Sequence, residues 1–137
     1  MSATRRDTLE AWLILLLVDL TIARGGLPRI HRLVGRLRVR RRAGDADYGR
    51  IVEVVNAAVD RAAVWYPRTL LCLPRSAVAT WFLRRRGVPA VMVIGVRKMP
   101  FYAHAWVEVD GRVVNDKPAV QTLYPPIDRL VPAETPR

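Results

Sequence analysis

With 137 residues, of which 51% are hydrophobic and 26% charged, the chain suits one folded domain with a single core and is not typical of a disordered protein. Its single cysteine excludes an intrachain disulfide and, with no cleavable signal evident, favours a reducing cytoplasm. The 23 basic residues outnumber the 12 acidic ones to give a formal charge of +11, which favours acidic partners.

Residues 7 to 24 are predicted to form an apolar helix that ends at Gly25-Gly26. A membrane-spanning or cleaved segment is not favoured, because the uninterrupted apolar run covers only Ala11 to Val18 and Asp19 would lie inside any span. A helix with almost no polar face is instead expected to be buried or to contact a partner.

Residues 28 to 42 are a second helical candidate, apolar on one face and basic elsewhere, that ends in the cluster Arg40-Arg41-Arg42. Three interpretations of this basic face stay open: a solvated surface, a nucleic-acid site, or a docking site for an acidic peptide or partner. Nucleic acid is disfavoured because no aromatic residues alternate with the arginines to stack on bases. His31 is interpreted as a surface histidine, and two histidines with one cysteine do not favour a metal site.

The polar stretch Ala43 to Asp47 is the best internal boundary, and a third helix is predicted from Tyr48 to Trp65. After Asp116 the chain is punctuated by prolines, so an extended, partly mobile tail is expected there. We therefore divide one compact domain into a helical region that covers the core or faces a partner (1–44), a core (45–118) and a C-terminal tail (119–137).

Cys72 precedes Pro74 at the start of a helix predicted to run to about Arg86 and to stop at Gly87. Backbone N–H groups and the helix dipole favour a thiolate at such a position, and the thiolate is the nucleophile. The alternative is a small buried hydrophobic residue, which is what a lone cysteine most often is. At the other end of the helix, the basic run Arg84-Arg85-Arg86 suits the negative end of the dipole.

Val88 to Arg97 is predicted to be a central strand, because its apolar run suits burial on both faces. A second strand is predicted from Phe101 to Val109, where alternation places His104, Trp106 and Glu108 on one face. The turn signal Asp110-Gly111 then predicts a hairpin whose returning strand is Arg112 to Asp116.

The register of this hairpin decides whether His104 meets Asp116. A two-residue turn would place Asp116 opposite Ala105 and away from the histidine. A three-residue loop, Val109 to Gly111 with a bulge at the glycine, would place Asp116 directly across from His104. We predict the three-residue loop. Glu108 is a competing partner for His104, but it lies about 13 Å further along the strand.

Several segments together resemble the leader peptidases of lasso-peptide biosynthesis in their stand-alone form, a family of transglutaminase-like, papain-related cysteine proteases. These segments are Cys72-Leu73-Pro74-Arg75-Ser76, Leu83 to Val88, Ile94-Gly95-Val96, His104 to Val109, and Asp116. The resemblance is close over residues 50 to 118. It implies an α+β fold in which N-terminal helices pack on a small antiparallel sheet, with the nucleophile at a helix N-terminus.

By this resemblance Cys72 is the nucleophile, His104 the base and Asp116 the residue that orients the histidine. The implied substrate is a ribosomal precursor peptide that is cut at the junction of leader and core through an acyl-enzyme. A small leader-recognition protein and the lasso cyclase are the implied partners, whereas no cofactor, nucleic acid or membrane is expected. The Cys72 N–H can stabilise an oxyanion, but the glutamine that papain-like sites place upstream has no match here.

Three other interpretations stay open. His104 and Asp116 can be a structural histidine and a surface cap, in which case the chain is a catalytically inactive scaffold of the same fold. A basic nucleic-acid-binding module would bind independently of Cys72. Transamidation differs from hydrolysis only in which nucleophile reaches the acyl-enzyme.

Overall fold

The computed structural model describes residues 3–37, 39, 43–67 and 72–130. The predicted Arg40-Arg41-Arg42 cluster and the last seven residues of the predicted tail (131–137) lie outside this part of the chain. In chain order the elements are helix α1 (Arg5–Gly35), a short 3-10 helix (Asp45–Asp47), α2 (Tyr48–Val64), α3 (Cys72–Arg85), strands β1 (Val91–Arg97), β2 (Tyr102–Val109) and β3 (Arg112–Val113), helix α4 (Val120–Leu123) and strand β4 (Pro126–Leu130).

Helix α1 contains the first predicted helix and part of the second as two arms, and it ends at Gly35, before the Arg42 that the prediction for the second helix reached. It begins at a capping box, in which the Asp7 N–H donates to Thr4 Oγ1 at 3.1 Å and the Thr4 N–H donates to Asp7 Oδ2 at 2.9 Å. The arms meet at Gly26, whose φ of 60° and ψ of −157° are non-helical and favour glycine. Within the described residues, no helix combines the length and apolarity that crossing a membrane requires.

The three long helices pack together on one face of the sheet and enclose the main core. Helix α1 contacts α2 and α3, and α3 lies against β2. Side chains from every layer are at most 1% exposed in this core: Leu15, Ile30, Val55, Phe82, Met92 and Val107. The predicted α+β class, with helices packed on a small antiparallel sheet, is confirmed.

The sheet has the order β3-β2-β1-β4, and every neighbouring pair is antiparallel. Strand β1 is central, as predicted. The C-terminal segment differs from the expected extended tail, because residues 126–130 pair with β1 and place Pro126 opposite Gly95. Proline is tolerated there because β4 is an edge strand. The prolines therefore do not prevent a strand on this side of the sheet.

A second, smaller core covers the other face of the sheet. Trp106 is fully buried there with Val93 and Val120, and Tyr124 packs against the cluster. Gly95 permits this packing, since a Cβ at that position would lie 2.5 Å from the Tyr124 carbonyl oxygen and 2.7 Å from the Trp106 ring. The backbone at Gly95 thus approaches the indole and the α4 segment too closely for any side chain.

The predicted register of the β2–β3 hairpin is wrong. Val109 pairs with Arg112 and Glu108 with Val113, so the turn has the two residues Asp110 and Gly111. Both adopt positive φ, at 51° and 79°. Two such residues form the turn whose twist best matches a hairpin, which explains why the bulged three-residue loop does not form.

The basic run at the end of α3 makes specific contacts with other elements. Arg84 is fully buried and donates hydrogen bonds to backbone carbonyls. Arg85 pairs with Glu10 at 2.8 Å, and Arg86 pairs with Asp7 at 2.6 Å. The latter two join the C-terminal end of α3 to the first turns of α1, a role beyond the favourable helix-dipole interaction expected from the sequence.

Candidate active site

A cleft of about 390 Å³ is lined by Cys72, His104 and Asp116, the three residues that the sequence singles out. It lies between α2, α3 and β2. Polar side chains of the same wall are Asn56, Asp60, Arg75, Ser76 and Asn115. The structure therefore brings a thiol, an imidazole and a carboxylate to one opening of a size that suits part of a peptide chain.

Cys72 begins the described part of α3, which ends at Arg85, within one residue of the predicted C-terminal bound. The cysteine is a free thiol of intermediate exposure. The N–H groups of a first helical turn have no partner within the helix, and they form the positive end of its dipole. The thiol lines the cleft and is accessible from it.

His104 is held by a hydrogen bond and by a ring contact. Its Nε2 lies 2.6 Å from Asp116 Oδ2, and the two side chains are 24% and 30% exposed. The ring of Tyr124 lies 5.1 Å from the imidazole, centroid to centroid, at an angle of 35°. With Nε2 bonded to the carboxylate, Nδ1 is the ring nitrogen available for proton exchange in the cleft.

Asp116 reaches His104 because the chain leaves the sheet before that residue. The Val114 N–H still donates to the Val107 carbonyl at 2.9 Å, as in a regular ladder. The Val107 N–H, however, donates to the side-chain oxygen of Asn115 at 2.7 Å. The Val114 carbonyl accepts instead from Asn56 Nδ2 at 2.8 Å. A side chain thus replaces one backbone acceptor, and Asp116 is no longer fixed by the hairpin register.

Asn115 also connects the element that carries the cysteine to the strand that carries the histidine. Its Nδ2 donates to Ser76 Oγ at 3.1 Å, and Ser76 Oγ donates to the Ala105 carbonyl at 3.1 Å. Ser76 lies one helical turn after Cys72 and is 1% exposed. Sequence reasoning missed both residues. Their available signals were the helical spacing of Ser76 from Cys72 and the position of Asn115 beside Asp116.

Glu108, the competing partner for His104, is engaged elsewhere. Its buried carboxylate accepts from Trp106 Nε1 at 2.8 Å and pairs with Arg129 Nη1 at 2.9 Å. These two bonds satisfy a charge that would be costly to bury alone. Among the described side chains, Asp116 is therefore the carboxylate that contacts the imidazole.

A positively charged side chain, that of Arg75, also lines the cleft. Arg75 lies on α3 three residues after Cys72 and pairs with Asp60 of α2. The remaining wall amides, those of Asn56 and Asn115, already donate to protein acceptors. In the described part of the chain, no group of three His, Cys, Asp or Glu side chains is arranged to hold a metal ion. The described side chains that line the cleft include a thiol, an imidazole and their hydrogen-bond partners.

Comparisons with known proteins identify the family of this chain. The model of the Transglutaminase-like superfamily matches residues 14–129. The Microcin J25-processing protein McjB of Escherichia coli is 51% identical over 47 residues, which are 34% of this chain and 23% of McjB. The matched part is thus about a quarter of that relative, and no solved structure matches the chain. Because the family model covers most of its length, this chain belongs to the transglutaminase-like superfamily.

Proposed function

We propose that this protein is a cysteine peptidase that removes the leader from a lasso-peptide precursor through Cys72, His104 and Asp116. The observation that carries the proposal is the 2.6 Å bond between His104 and Asp116 in the cleft that Cys72 lines. A nucleophile, a base and a group that orients the base are the parts that covalent acyl transfer requires.

In this mechanism Nδ1 of His104 takes the proton from the Cys72 thiol, and the thiolate attacks the carbonyl carbon of the scissile peptide bond. The resulting oxyanion accepts a hydrogen bond from the Cys72 N–H. The imidazolium then gives its proton to the leaving amine, which leaves a thioester on the cysteine. Water, deprotonated by His104, attacks the thioester and releases the carboxylic acid product. Asp116 holds the proton on Nε2 throughout these steps.

We infer the substrate from proteins that are similar to this chain in sequence. McjB is named as a processing protein for microcin J25, and it is similar to this chain over part of its length. The motifs around Cys72 and His104 resemble those of lasso-peptide leader peptidases. The proposed partners are therefore the precursor peptide and a small leader-recognition protein that presents it. The Cys72 N–H is the one oxyanion donor that we assign in this cleft. Activity that depends on a partner presenting the leader would be consistent with this single donor.

The test combines the purified protein, a precursor peptide and the recognition protein, with the products identified by mass. We expect cleavage at one peptide bond, no product with Cys72→Ala, and a rate about 10²–10⁴-fold lower with His104→Gln. His31→Gln is the matched control, because His31 is an exposed histidine that pairs with Asp128 outside the cleft. It should cleave at the wild-type rate.

The same assay separates the competing interpretations. Cleavage that persists in Cys72→Ala would rule out the cysteine as nucleophile. Failure of the wild type to cleave a precursor that it binds would instead indicate an inactive scaffold. A primary amine added to the reaction shows which nucleophile resolves the thioester, because hydrolysis and transamidation give products of different mass. We expect the hydrolysis product to dominate.

A further inference from the structure

The second arm of α1 carries a groove lined by three guanidinium groups. Arg29, Arg32 and Arg36 line a pocket of about 330 Å³ together with Thr21 of the first arm and Leu33. The three arginines follow one another at helical spacings of three and four residues, so they share one side of the arm. Their charges are thereby concentrated on one concave surface between the two arms.

These charges are not neutralised within the described structure. Five other arginines there pair with carboxylates: Arg50, Arg75, Arg85, Arg86 and Arg129. No described carboxylate lies within ion-pair distance of Arg29, Arg32 or Arg36. On the adjacent side of the same arm, Asp128 pairs with His31 at 3.2 Å. The arginine groove therefore has the capacity to accept acidic groups from another molecule.

The kink in α1 helps to fix the position of the Arg29 side chain. The aliphatic part of the Arg29 side chain lies against the backbone of Gly25, where a Cβ would overlap its Cγ and Cδ atoms. Gly26 then turns the chain with its positive φ. Because the stem of Arg29 is packed across the kink, less side-chain freedom is lost when its guanidinium binds a ligand.

An exposed apolar row borders the arginine groove. Leu13, Leu17 and Leu20 follow one side of the first arm and are 53%, 52% and 48% exposed. Leu17 and Leu33 line a neighbouring small pocket, so the row is continuous with the groove through Leu33. Exposed leucines at helical spacing beside a basic groove make a two-part surface, apolar along one arm and cationic along the other.

We propose that this surface docks an acidic amphipathic peptide segment of a partner protein. Its carboxylates would bind the three arginines of the groove, and its apolar side chains would cover the leucine row. A nucleic acid fits less well, because its phosphate backbone offers nothing apolar to the leucines and none of the described residues that line the groove is aromatic. A second copy of this chain is disfavoured by its net charge of +11.

The test uses a synthetic helical peptide of about 18 residues. Leucines occupy one face of the peptide, and three glutamates lie beside them at spacings of three and four residues. Binding to the full-length Cys72→Ala protein is followed by fluorescence anisotropy, so the result does not depend on peptidase activity. We expect the combined change Arg29→Gln, Arg32→Gln and Arg36→Gln to weaken binding about tenfold or more.

The matched control is the combined change Arg97→Gln, Lys98→Gln and Arg112→Gln, which removes the same charge from exposed positions elsewhere. It should change the dissociation constant by less than about twofold. Leu17→Ser tests the apolar row separately and should also weaken binding. Circular dichroism of each variant establishes that the fold is kept.

Three results would overturn the proposal. Equal weakening by the two triple variants would show a response to net charge alone. Unchanged affinity for a peptide with glutamine in place of glutamate would show that carboxylates are not recognised. Tighter binding of duplex RNA, or of vesicles containing phosphatidylserine, that is lost in the Arg29, Arg32 and Arg36 variant would assign the groove to a nucleic acid or a membrane instead.

Discussion

The side-chain oxygen of Asn115 accepts the backbone N–H of Val107 at 2.7 Å, at the point where a returning strand would present a carbonyl. This substitution of a side chain for the backbone lets the chain leave the sheet without an unpaired N–H on β2. The next residue, Asp116, is then free to bond His104 at 2.6 Å. The position of the carboxylate thus depends on one amide group and not on the register of the hairpin.

Asn115→Ala should therefore disturb the His104 and Asp116 pair without removing either residue. The change deletes the bonds to the Val107 N–H and to Ser76 Oγ. We expect kcat for precursor cleavage to fall about 10²-fold with little change in KM, because a small misplacement of a catalytic group has that cost. The low-field proton signal of the His104 ring N–H, measured by NMR, should broaden or disappear.

Gln121→Ala is the control for this experiment. It removes a side-chain hydrogen bond of 2.9 Å to the Gly111 carbonyl on the same hairpin but does not touch the crossing at Asn115. The ring signal and the cleavage rate should both remain as in the wild type. If Asn115→Ala also left both unchanged, the amide would have no positioning role.

The three long helices and the two long strands were predictable because their signals are local. Pro74, the apolar periodicity and the Gly87 stop predict the bounds of α3, and alternation predicts β2. The position of the turn at Asp110-Gly111 was predictable, but the type of turn was not. A bulged loop and a two-residue turn both contain Asp110 and Gly111, so these residues do not distinguish the two. The hydrogen bond from the Val107 N–H to the Asn115 side chain produces no periodic pattern in the sequence.

Other features escaped prediction because they depend on tertiary contacts. Strand β4 pairs with β1 from far along the chain, and Pro125-Pro126 at its start locally resemble a loop. Tyr124 stacks on His104 only because α4 returns over the sheet. Arg84 was interpreted as part of a basic run that suits the helix dipole, yet its side chain is fully buried. Long-range hydrogen-bond partners decide such positions, and a single sequence does not show them.

Gly95→Ala tests the close packing between β1 and Trp106 of β2, the strand that carries His104. The added methyl group would meet the Tyr124 carbonyl oxygen at 2.5 Å and the Trp106 ring at 2.7 Å, neither of which is a flexible side-chain end. We expect the free energy of unfolding, measured with urea, to fall by about 2–3 kcal/mol. Gly49→Ala is the control, because that position in α2 has nothing within 4 Å and the helix favours alanine. Equal stability of the two variants would contradict the overlap.

Arg84→Met should unfold the protein at a much lower urea concentration. The guanidinium donates to the carbonyls of Val34, Leu37 and Ala90 at 2.6, 3.2 and 2.8 Å, and also to that of Leu130. Burial lowers the pKa of Arg84 to about 10, so it remains charged at neutral pH and holds α1, α3 and the edge strand together.

Methionine would fill the space but leave these carbonyls without a donor. We expect a loss of about 3 kcal/mol or more in the free energy of unfolding. The neighbouring change Arg85→Met removes an exposed ion pair with Glu10 and the contact of the guanidinium with the Trp81 ring, and it should cost at most about 1–2 kcal/mol. Similar losses for the two variants would show that the carbonyl contacts of Arg84 contribute little.

Asp7 should make part of the stability dependent on pH. The hydrogen bond from the Thr4 backbone N–H, with smaller contributions from the Thr4 hydroxyl and from Arg86, lowers the pKa of Asp7 below its usual 3.8. The contribution is therefore complete above about pH 5 and is lost as the pH falls through the lowered folded pKa. Asp7→Asn should reduce the free energy of unfolding by about 1 kcal/mol at pH 7, and the two proteins should converge in urea titrations below pH 3. A constant difference down to that pH would show that the ionised carboxylate is not the stabilising form.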